Sequence, residues 1–535
     1  VTTPDRLADA VRRALADAGL PDVAPEMSRP RQREHGDWAT NVALVLAKPA
    51  RRPPRAVAEA IVAQLGRPEG VEAVEVAGPG FINFRLAHGA LEDVVRGAAA
   101  QGSAWGRTPP PDGRIRRVNV EFVSANPTGP LHVGAGRWVA AGDALASLLD
   151  ATGWEVTREY YLNDTGNQIE LFGDSVLAMM RGTPVPENGY RGGYVTELAQ
   201  ELLDAGIPDE EVTEAAYQRM LLRIKATMAA VGIDVDVWFS ERDLHRAGTV
   251  QAVVQRLREA GHAYDADGAV WLRTTDFGDD KDRVLVRADG RPTYFAADCA
   301  YMASKIERGF DLCVYLLGAD HHGYVRRLQA IAAAEGLAPD RVEVIIGQLV
   351  NLYRAGEAVR MSKRTGDLVS FDELIEEVGP DAARYAMLRT SLDVTLDFDI
   401  AEVVRQDREN PVYYVQYSHA RIAGIMRTAT ERGVAAGAVA EARLDRLAHA
   451  TEEELIRRIG AYPETVAYAA AERAPHKVAR YAEEVAEAFH RFYTECQVIG
   501  DDGELTSARY WLCVATRQTL VNALGLLGVR APDRM

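Results

Sequence analysis

Cysteine is scarce: four residues in 535 (Cys299, Cys313, Cys496, Cys513), none in CxxC spacing. That excludes a disulfide framework or a Cys-built zinc site as the organising principle, and it fits a reducing cytoplasm. No metal site is expected from the sequence. No run of about 18 uninterrupted apolar residues occurs, so no membrane span is expected. The opening Val1-Thr2-Thr3-Pro4-Asp5-Arg6 lacks the apolar stretch of a signal peptide. No internal repeat stands out. Positive charge is in deficit, with 61 Lys and Arg against 78 Asp and Glu, a net −17. That argues against a surface coated in nucleic acid, while local basic grooves remain open. Such clusters exist at Arg29, Arg31 and Arg33, at Arg51, Arg52 and Arg55, and at Arg114, Arg116 and Arg117. By charge alone they read equally well as solvated faces.

What is present is an ordinary globular composition, 47% hydrophobic and 26% charged, in a chain long enough for several domains. Three consecutive prolines, Pro109-Pro110-Pro111, can continue neither a helix nor a central strand and mark a boundary. Residues 1–105 read as a small α/β domain. Ala58, Ile61, Val62 and Leu65 share a helix face, and 74–86 reads as strand with a turn at Gly78-Pro79-Gly80. Residues 114–400 alternate strand and helix. The strand candidates are 118–123, 156–162, 312–317 and 342–346, and a mainly helical insertion covers about 182–261. That alternation implies a parallel sheet covered by helices. From 401 to 535 strands disappear. Tyr481, Val485, Ala488, Phe489 and Phe492 keep helical spacing, as do Leu520, Ala523, Leu524 and Leu527.

Two strings carry chemistry. The first runs Ser124-Ala125-Asn126-Pro127-Thr128-Gly129-Pro130-Leu131-His132-Val133-Gly134-Ala135-Gly136-Arg137, between a strand and a helix. A helix N-terminus offers free N–H groups to phosphate, and glycines let a nucleotide approach the backbone. His132 can donate to phosphate oxygens as charge develops. A tight turn, or a fragment of a dinucleotide fingerprint with Glu159 as its acid, competes with that reading. The second string is Val359-Arg360-Met361-Ser362-Lys363-Arg364-Thr365-Gly366. It is either a surface loop or a basic clamp in which Lys363 neutralises a leaving pyrophosphate.

Together, a His-x-Gly loop and a distant Met-Ser-Lys loop resemble the signatures of class I aminoacyl-tRNA synthetases. The 120–132 segment is similar to the strand and loop of the bacterial arginyl type. So are Arg158-Glu159-Tyr160-Tyr161-Leu162-Asn163-Asp164, Pro292-Thr293-Tyr294-Phe295-Ala296-Ala297-Asp298, Asn410-Pro411-Val412-Tyr413-Tyr414-Val415-Gln416-Tyr417 and the terminal Ala531-Pro532-Asp533-Arg534-Met535.

The resemblance implies a multidomain α/β chain. It would have a Rossmann-like parallel-sheet catalytic core at 114–400, an N-terminal domain reading the tRNA elbow, and an all-helical anticodon-binding domain. It implies attachment of L-arginine to tRNA(Arg) through an adenylate, with ATP as substrate, Mg²⁺ on the phosphates, and release of AMP and pyrophosphate. A cytoplasmic monomer is expected. Carried over residue by residue, His132 and Lys363 are catalytic. Gly129, His132, Gly134, Met361, Ser362 and Lys363 hold ATP. Glu121, Ser124, Asn126, Tyr294 and Asp298 hold arginine, Asp298 taking the guanidinium, Glu121 the amino end and Asn126 the carboxylate. Phe81 and Asn83 meet the tRNA elbow, and Tyr413, Tyr417 and Met535 the anticodon. Gly318-Ala319-Asp320-His321-His322-Gly323 would line the ATP crevice. Ala135 departs from the class pattern, which has a second histidine there; Arg137, Lys363 or backbone N–H groups would have to substitute. Two other readings stand beside this one: a duplicated synthetase serving resistance or a biosynthetic pathway, and a non-catalytic RNA-binding paralogue.

Overall fold

The computed structural model describes residues 3–30, 32–110, 113–359 and 369–535. Five strands pair in parallel in the order Val342–Gly347, Leu312–Gly318, Arg116–Glu121, Trp154–Leu162, Val237–Ser240. The chain steps outward from Arg116–Glu121 in one direction, then returns to its other side with Leu312–Gly318. The strand order therefore reverses between those two strands. Open α/β sheets form their ligand crevice at that point, beyond the carboxyl ends of the strands.

Hydrophobic runs predict four of these strands. The fifth, Val237–Ser240, lies within the stretch that reads as helical. Its four residues are all half-buried at the sheet edge, too short and too mixed to show a period. Helices cover both faces, so Val118, Val120 and Val314 are fully buried. The Val133–Ala151 helix is buried along most of its length. Gly142 lets it approach the sheet closely, since a Cβ there would lie 2.1 Å from the Phe122 ring.

An antiparallel sheet of Val71–Ala77, Phe81–Leu86, Trp38–Thr40 and Met27–Ser28 forms the N-terminal unit with three helices. Leu7, Val11, Leu46, Ile61 and Phe84 form its own core. The next helix, His88–Gln101, buries Leu91, Val95 and Ala98 in a different core, shared with the C-terminal helices. That larger core runs without a break from the central sheet into Pro411–Glu431, Ala450–Gly460, Tyr462–Ala471, His476–Glu495 and Gly503–Leu526. Tyr481, Val485, Phe489 and Phe492 are buried there, as their spacing predicts. Among the described residues no helix is long and apolar enough to cross a membrane. All four cysteines are buried free thiols.

Candidate active site

The Arg116–Glu121 strand ends in a strained turn. Val123 and Ser124 take φ of 71° and 43°, and positive φ is costly for a β-branched residue. The turn is held on both sides. Ser124 donates its hydroxyl to Glu121 Oε1 at 3.1 Å and accepts from the Tyr161 N–H at 3.1 Å. The buried Tyr160 hydroxyl donates to the Ala125 carbonyl at 3.0 Å and accepts from its N–H at 3.1 Å. Asn126 donates to the Gln168 side chain.

Beneath this turn lies a buried charge network. Glu121 Oε2 accepts from Lys305 Nζ at 2.8 Å and lies 2.8 Å from the Tyr301 hydroxyl. The same hydroxyl lies 2.5 Å from Glu159 Oε1, so its single proton serves one carboxylate at a time. Burial works to raise the Glu159 carboxyl, but Arg308, the Lys305 charge and Tyr301 outweigh it and hold it below its ordinary value. Lys305 and Glu159 are both fully buried. Glu121 therefore already faces an internal ammonium, and only Oε1 keeps acceptor capacity for anything entering the crevice.

Asp298 is in a different situation. It lies on the Tyr294–Glu307 helix, four residues after Tyr294, so the two share a face as the spacing predicts. Thr293 caps that helix, accepting from the Ala296 N–H at 3.3 Å. Asp298 Oδ2 is buried and has no hydrogen-bond partner among the described residues. Burial raises its carboxyl to about 7, the Glu241 and Glu121 charges add to that, and Arg327 and a bond from Tyr324 oppose it. Glu241, 3% exposed, opens the helix that follows the Val237–Ser240 strand. Tyr161 packs against Tyr301, ring centroids 4.6 Å apart. Asp298, Glu241 and Glu121 are thus close enough to act on one another, beside the Tyr161–Tyr301 ring pair, and together outline a candidate recess. It suits a planar cation with several donors. Tyr294, 58% exposed, opens the same helix one turn before Asp298, with its hydroxyl close over Gly166.

Sequence reasoning missed Glu241, Tyr161, Gln168, Tyr301, Lys305 and Arg308. A signal existed for two of them. Tyr294, Asp298, Tyr301 and Lys305 are spaced four, three and four apart, a polar stripe on a helix that packs on the sheet. Glu241 gave none, because the strand before it carries no readable pattern.

The other candidate side of the crevice is built on His132. This exposed residue is the N-cap of Val133–Ala151, and its Nδ1 accepts from the Ala135 N–H at 3.1 Å. That bond places the proton of a neutral ring on Nε2, making it a donor. Gly134 makes the cap possible, because a Cβ there would lie 3.0 Å from the imidazole. Gly129 lies under the Tyr194 hydroxyl, which donates to the Thr128 carbonyl at 3.2 Å. The 318–323 segment follows the Leu312–Gly318 strand, at the carboxyl end beside the crevice.

Met361, Ser362 and Lys363 lie outside the described residues. Their downstream flank meets the His132 loop: Ser370 bridges His132, and the Phe371 N–H donates to the Leu131 carbonyl at 2.7 Å. Ser370 also caps the Phe371–Val378 helix in a reciprocal capping box with Glu373.

Comparison with known proteins decides the family. A family model described as tRNA synthetases class I (R), catalytic domain, matches residues 109–181 and 200–422. The arginyl tRNA synthetase N-terminal domain matches 5–86, and the DALR anticodon binding domain matches 415–535. An arginine–tRNA ligase of Frankia alni is 50% identical, with all of both chains covered. The chain belongs to the arginyl-tRNA synthetase family. A second arginine–tRNA ligase, from Kineococcus radiotolerans, is 47% identical over all of both chains. The arginyl-tRNA synthetase structure of Thermus thermophilus superposes with a TM-score of 0.80 at 25% identity, again over all of both chains.

Within this family frame one sequence expectation is corrected. Arg137 does not substitute for the histidine absent at 135. It is fully buried and donates to the carbonyls of Gln348, Ser391 and Val394. The Ala135 N–H is taken by His132, and its methyl lies in the core at 4% exposure.

At the far end of the chain, a cavity of about 950 Å³ opens between Pro411–Glu431, His476–Glu495 and the terminal residues. Tyr417, Arg421, Tyr493 and Met535 line it. Tyr413 stacks on Tyr417 at 6.0 Å, and Tyr417 on His490 at 6.1 Å. Burial and the Arg421 charge push His490 down to about 4, leaving a neutral ring. In the N-terminal sheet Phe81 is 40% exposed, but Asn83 on the same face is 7% exposed. The aromatic is presented and the amide is withdrawn.

Proposed function

We propose that the chain activates L-arginine with ATP and transfers it to tRNA(Arg), releasing pyrophosphate and then AMP. The observation that carries the choice of amino acid is Asp298, a buried carboxylate with an unpaired oxygen beside Glu241. A guanidinium supplies the paired donors and the charge that this recess lacks. A neutral or shorter side chain would leave Asp298 Oδ2 buried without a partner, which is the basis of strong rejection. Asp298 and Glu241 take the guanidinium, with Tyr294, one turn before Asp298, beside it. Ser124, Asn126 and the remaining capacity of Glu121 Oε1 hold the α-amino and carboxylate ends.

In that pose the arginine carboxylate oxygen attacks the α-phosphorus of ATP. The bond to the bridging oxygen breaks, and its electrons leave on pyrophosphate. His132 donates from Nε2 to the phosphates, and Lys363 neutralises the departing charge. A ribose hydroxyl of the terminal adenosine of tRNA then attacks the activated carbonyl, and AMP leaves. Mg²⁺ is expected to arrive with the triphosphate. Among the described residues no cluster of three side chains could hold a metal, and Mg²⁺ commonly binds through substrate phosphates. Stacking Tyr417 and the arginines around the terminal cavity suit a splayed anticodon base, and exposed Phe81 suits a base of the tRNA elbow. Four buried thiols support a reducing cytoplasm as the compartment.

The test is selectivity between arginine and its neutral isostere citrulline, measured by aminoacylation. The wild type should use arginine alone. Asp298→Asn should lose about 10²-fold or more in kcat/KM for arginine while folding normally. Unchanged arginine kinetics in that variant would reject the assigned recess.

A further inference from the structure

The Trp154–Leu162 strand carries Tyr161, and two residues beyond its end the chain buries a carboxylate, Asp164. An ionised carboxylate is costly to bury unless donors surround it, and here they do. Asp164 Oδ1 accepts from the Arg242 N–H at 2.9 Å. Oδ2 accepts from the Ser240 hydroxyl at 2.7 Å and from the Tyr217 hydroxyl at 3.1 Å. The Asp164 carbonyl accepts from Arg242 Nε at 3.2 Å and from Nη2 at 3.0 Å.

All but one of these bonds reach the two residues that flank Glu241 in the chain. Ser240 ends the Val237–Ser240 strand and caps the Glu241–Arg246 helix. Its proton goes to Asp164, and its oxygen accepts from the Asp243 N–H at 3.2 Å. Arg242 is held further, by Glu214 at 2.7 Å and by the Tyr217 ring at 4.8 Å. Glu214 and Tyr217 lie one turn apart on the Val212–Ala230 helix, so the helical insertion backs this clamp.

Glu241 needs such a hold. It is buried, and its charge acts on Asp298 and on the Tyr161 hydroxyl, raising both. Its Oε1 lies 3.5 Å from His245 Nε2, on its own helix. Two carboxylates kept close out of water repel, and the less constrained of them would turn toward solvent. We propose that Asp164 is a positioning residue for amino-acid specificity: it clamps Ser240 and Arg242 so that Glu241 stays beside Asp298 against their repulsion, poised for a planar cation. This role rests on the reading in which Glu241 shares the guanidinium with Asp298. It gives the helical insertion a part in choosing the amino acid.

The experiment is a double-mutant cycle on the full chain. It reads KM for arginine, KM for ATP and kcat in aminoacylation of tRNA(Arg), with melting temperature alongside. Glu241→Gln and Asp164→Asn should each raise arginine KM about tenfold and leave ATP KM within about twofold. In the Glu241→Gln background Asp164→Asn should add less than about twofold, because the side chain it positions is already lost. A purely structural role would lower the melting temperature and leave arginine KM unmoved, or make the two effects multiply. Either result, with Glu241→Gln still raising KM, overturns the role of Asp164 while Glu241 stands. An arginine KM unmoved by Glu241→Gln instead rejects Glu241 as a partner, and this role with it. Should Asp164→Asn fold poorly, Tyr217→Phe takes its place in the cycle, removing one bond and keeping the ring. It should raise arginine KM about threefold alone and add nothing to Glu241→Gln, and it is judged by the same criteria.

Discussion

With Asp298 as the proposed partner of the guanidinium, arginine binding is expected to be coupled to a proton. Burial and the neighbouring Glu241 and Glu121 raise its carboxyl to about 7, and a guanidinium favours the ionised form. Below pH ~7 the free protein holds the proton, which must leave before the ion pair can form. Arginine affinity should therefore fall about tenfold per pH unit on the acid side of 7 and level off above it. Calorimetry in two buffers of different ionisation enthalpy, from pH 5.5 to 8.5, would show proton release that disappears above about pH 8. A flat profile would mean that Asp298 is not the partner. The same shift acts on stability with the opposite convenience. The unfolded carboxyl titrates near 3.8, so this group favours the fold in acid and progressively disfavours it from pH ~4 to ~7. His132 and Asp298 were legible because each sits in a contiguous string. Glu241 was not, because it lies outside any such string, and Tyr161, though inside one, took no role there, because only the folded sheet brings these segments together.

At the scale of elements, the Tyr294–Glu307 helix delivers both the recess and its support. Lys305, at its far end, is fully buried between Glu121 and Glu159. Replacing it with methionine removes the ammonium and leaves carboxylates short of a counter-charge. A loss of about 3–5 kcal/mol in urea unfolding is expected. The Val133–Ala151 helix is tuned at its first turn instead. Gly134→Ala would press a methyl against the His132 ring, 3.0 Å away, and turn the ring off the Ala135 N–H. The expected result is a kcat reduced by about tenfold or more with little change in melting temperature. An unchanged kcat would show that the imidazole orientation is immaterial. Hydrophobic period predicts such helices well, since one burial pattern spans the whole element. It says nothing about a strained turn such as Val123-Ser124, where residue type and backbone conformation disagree.

At the scale of the molecule, the C-terminal helices and the central sheet share one continuous core, while the N-terminal unit keeps its own. The His88–Gln101 helix follows the N-terminal sheet in sequence but packs with the other side. An amphipathic pattern shows that a face must be covered without showing by what, so this packing could not be read in advance. The Asp37–Arg457 pair then becomes a principal polar tie between the two cores. Asp37→Asn should cost about 1–3 kcal/mol and hasten proteolytic release of the first ~86 residues, the span of the matched N-terminal domain, with arginine KM unchanged. A shifted arginine KM would mean that the N-terminal unit reaches the substrate recess after all.

The most direct test of the whole account is attachment of each of the twenty amino acids to total bacterial tRNA by the purified chain with ATP and Mg²⁺. The account predicts arginine on tRNA(Arg), with stoichiometric AMP, and no other amino acid above background. Attachment of a different amino acid, or none of arginine, would contradict it.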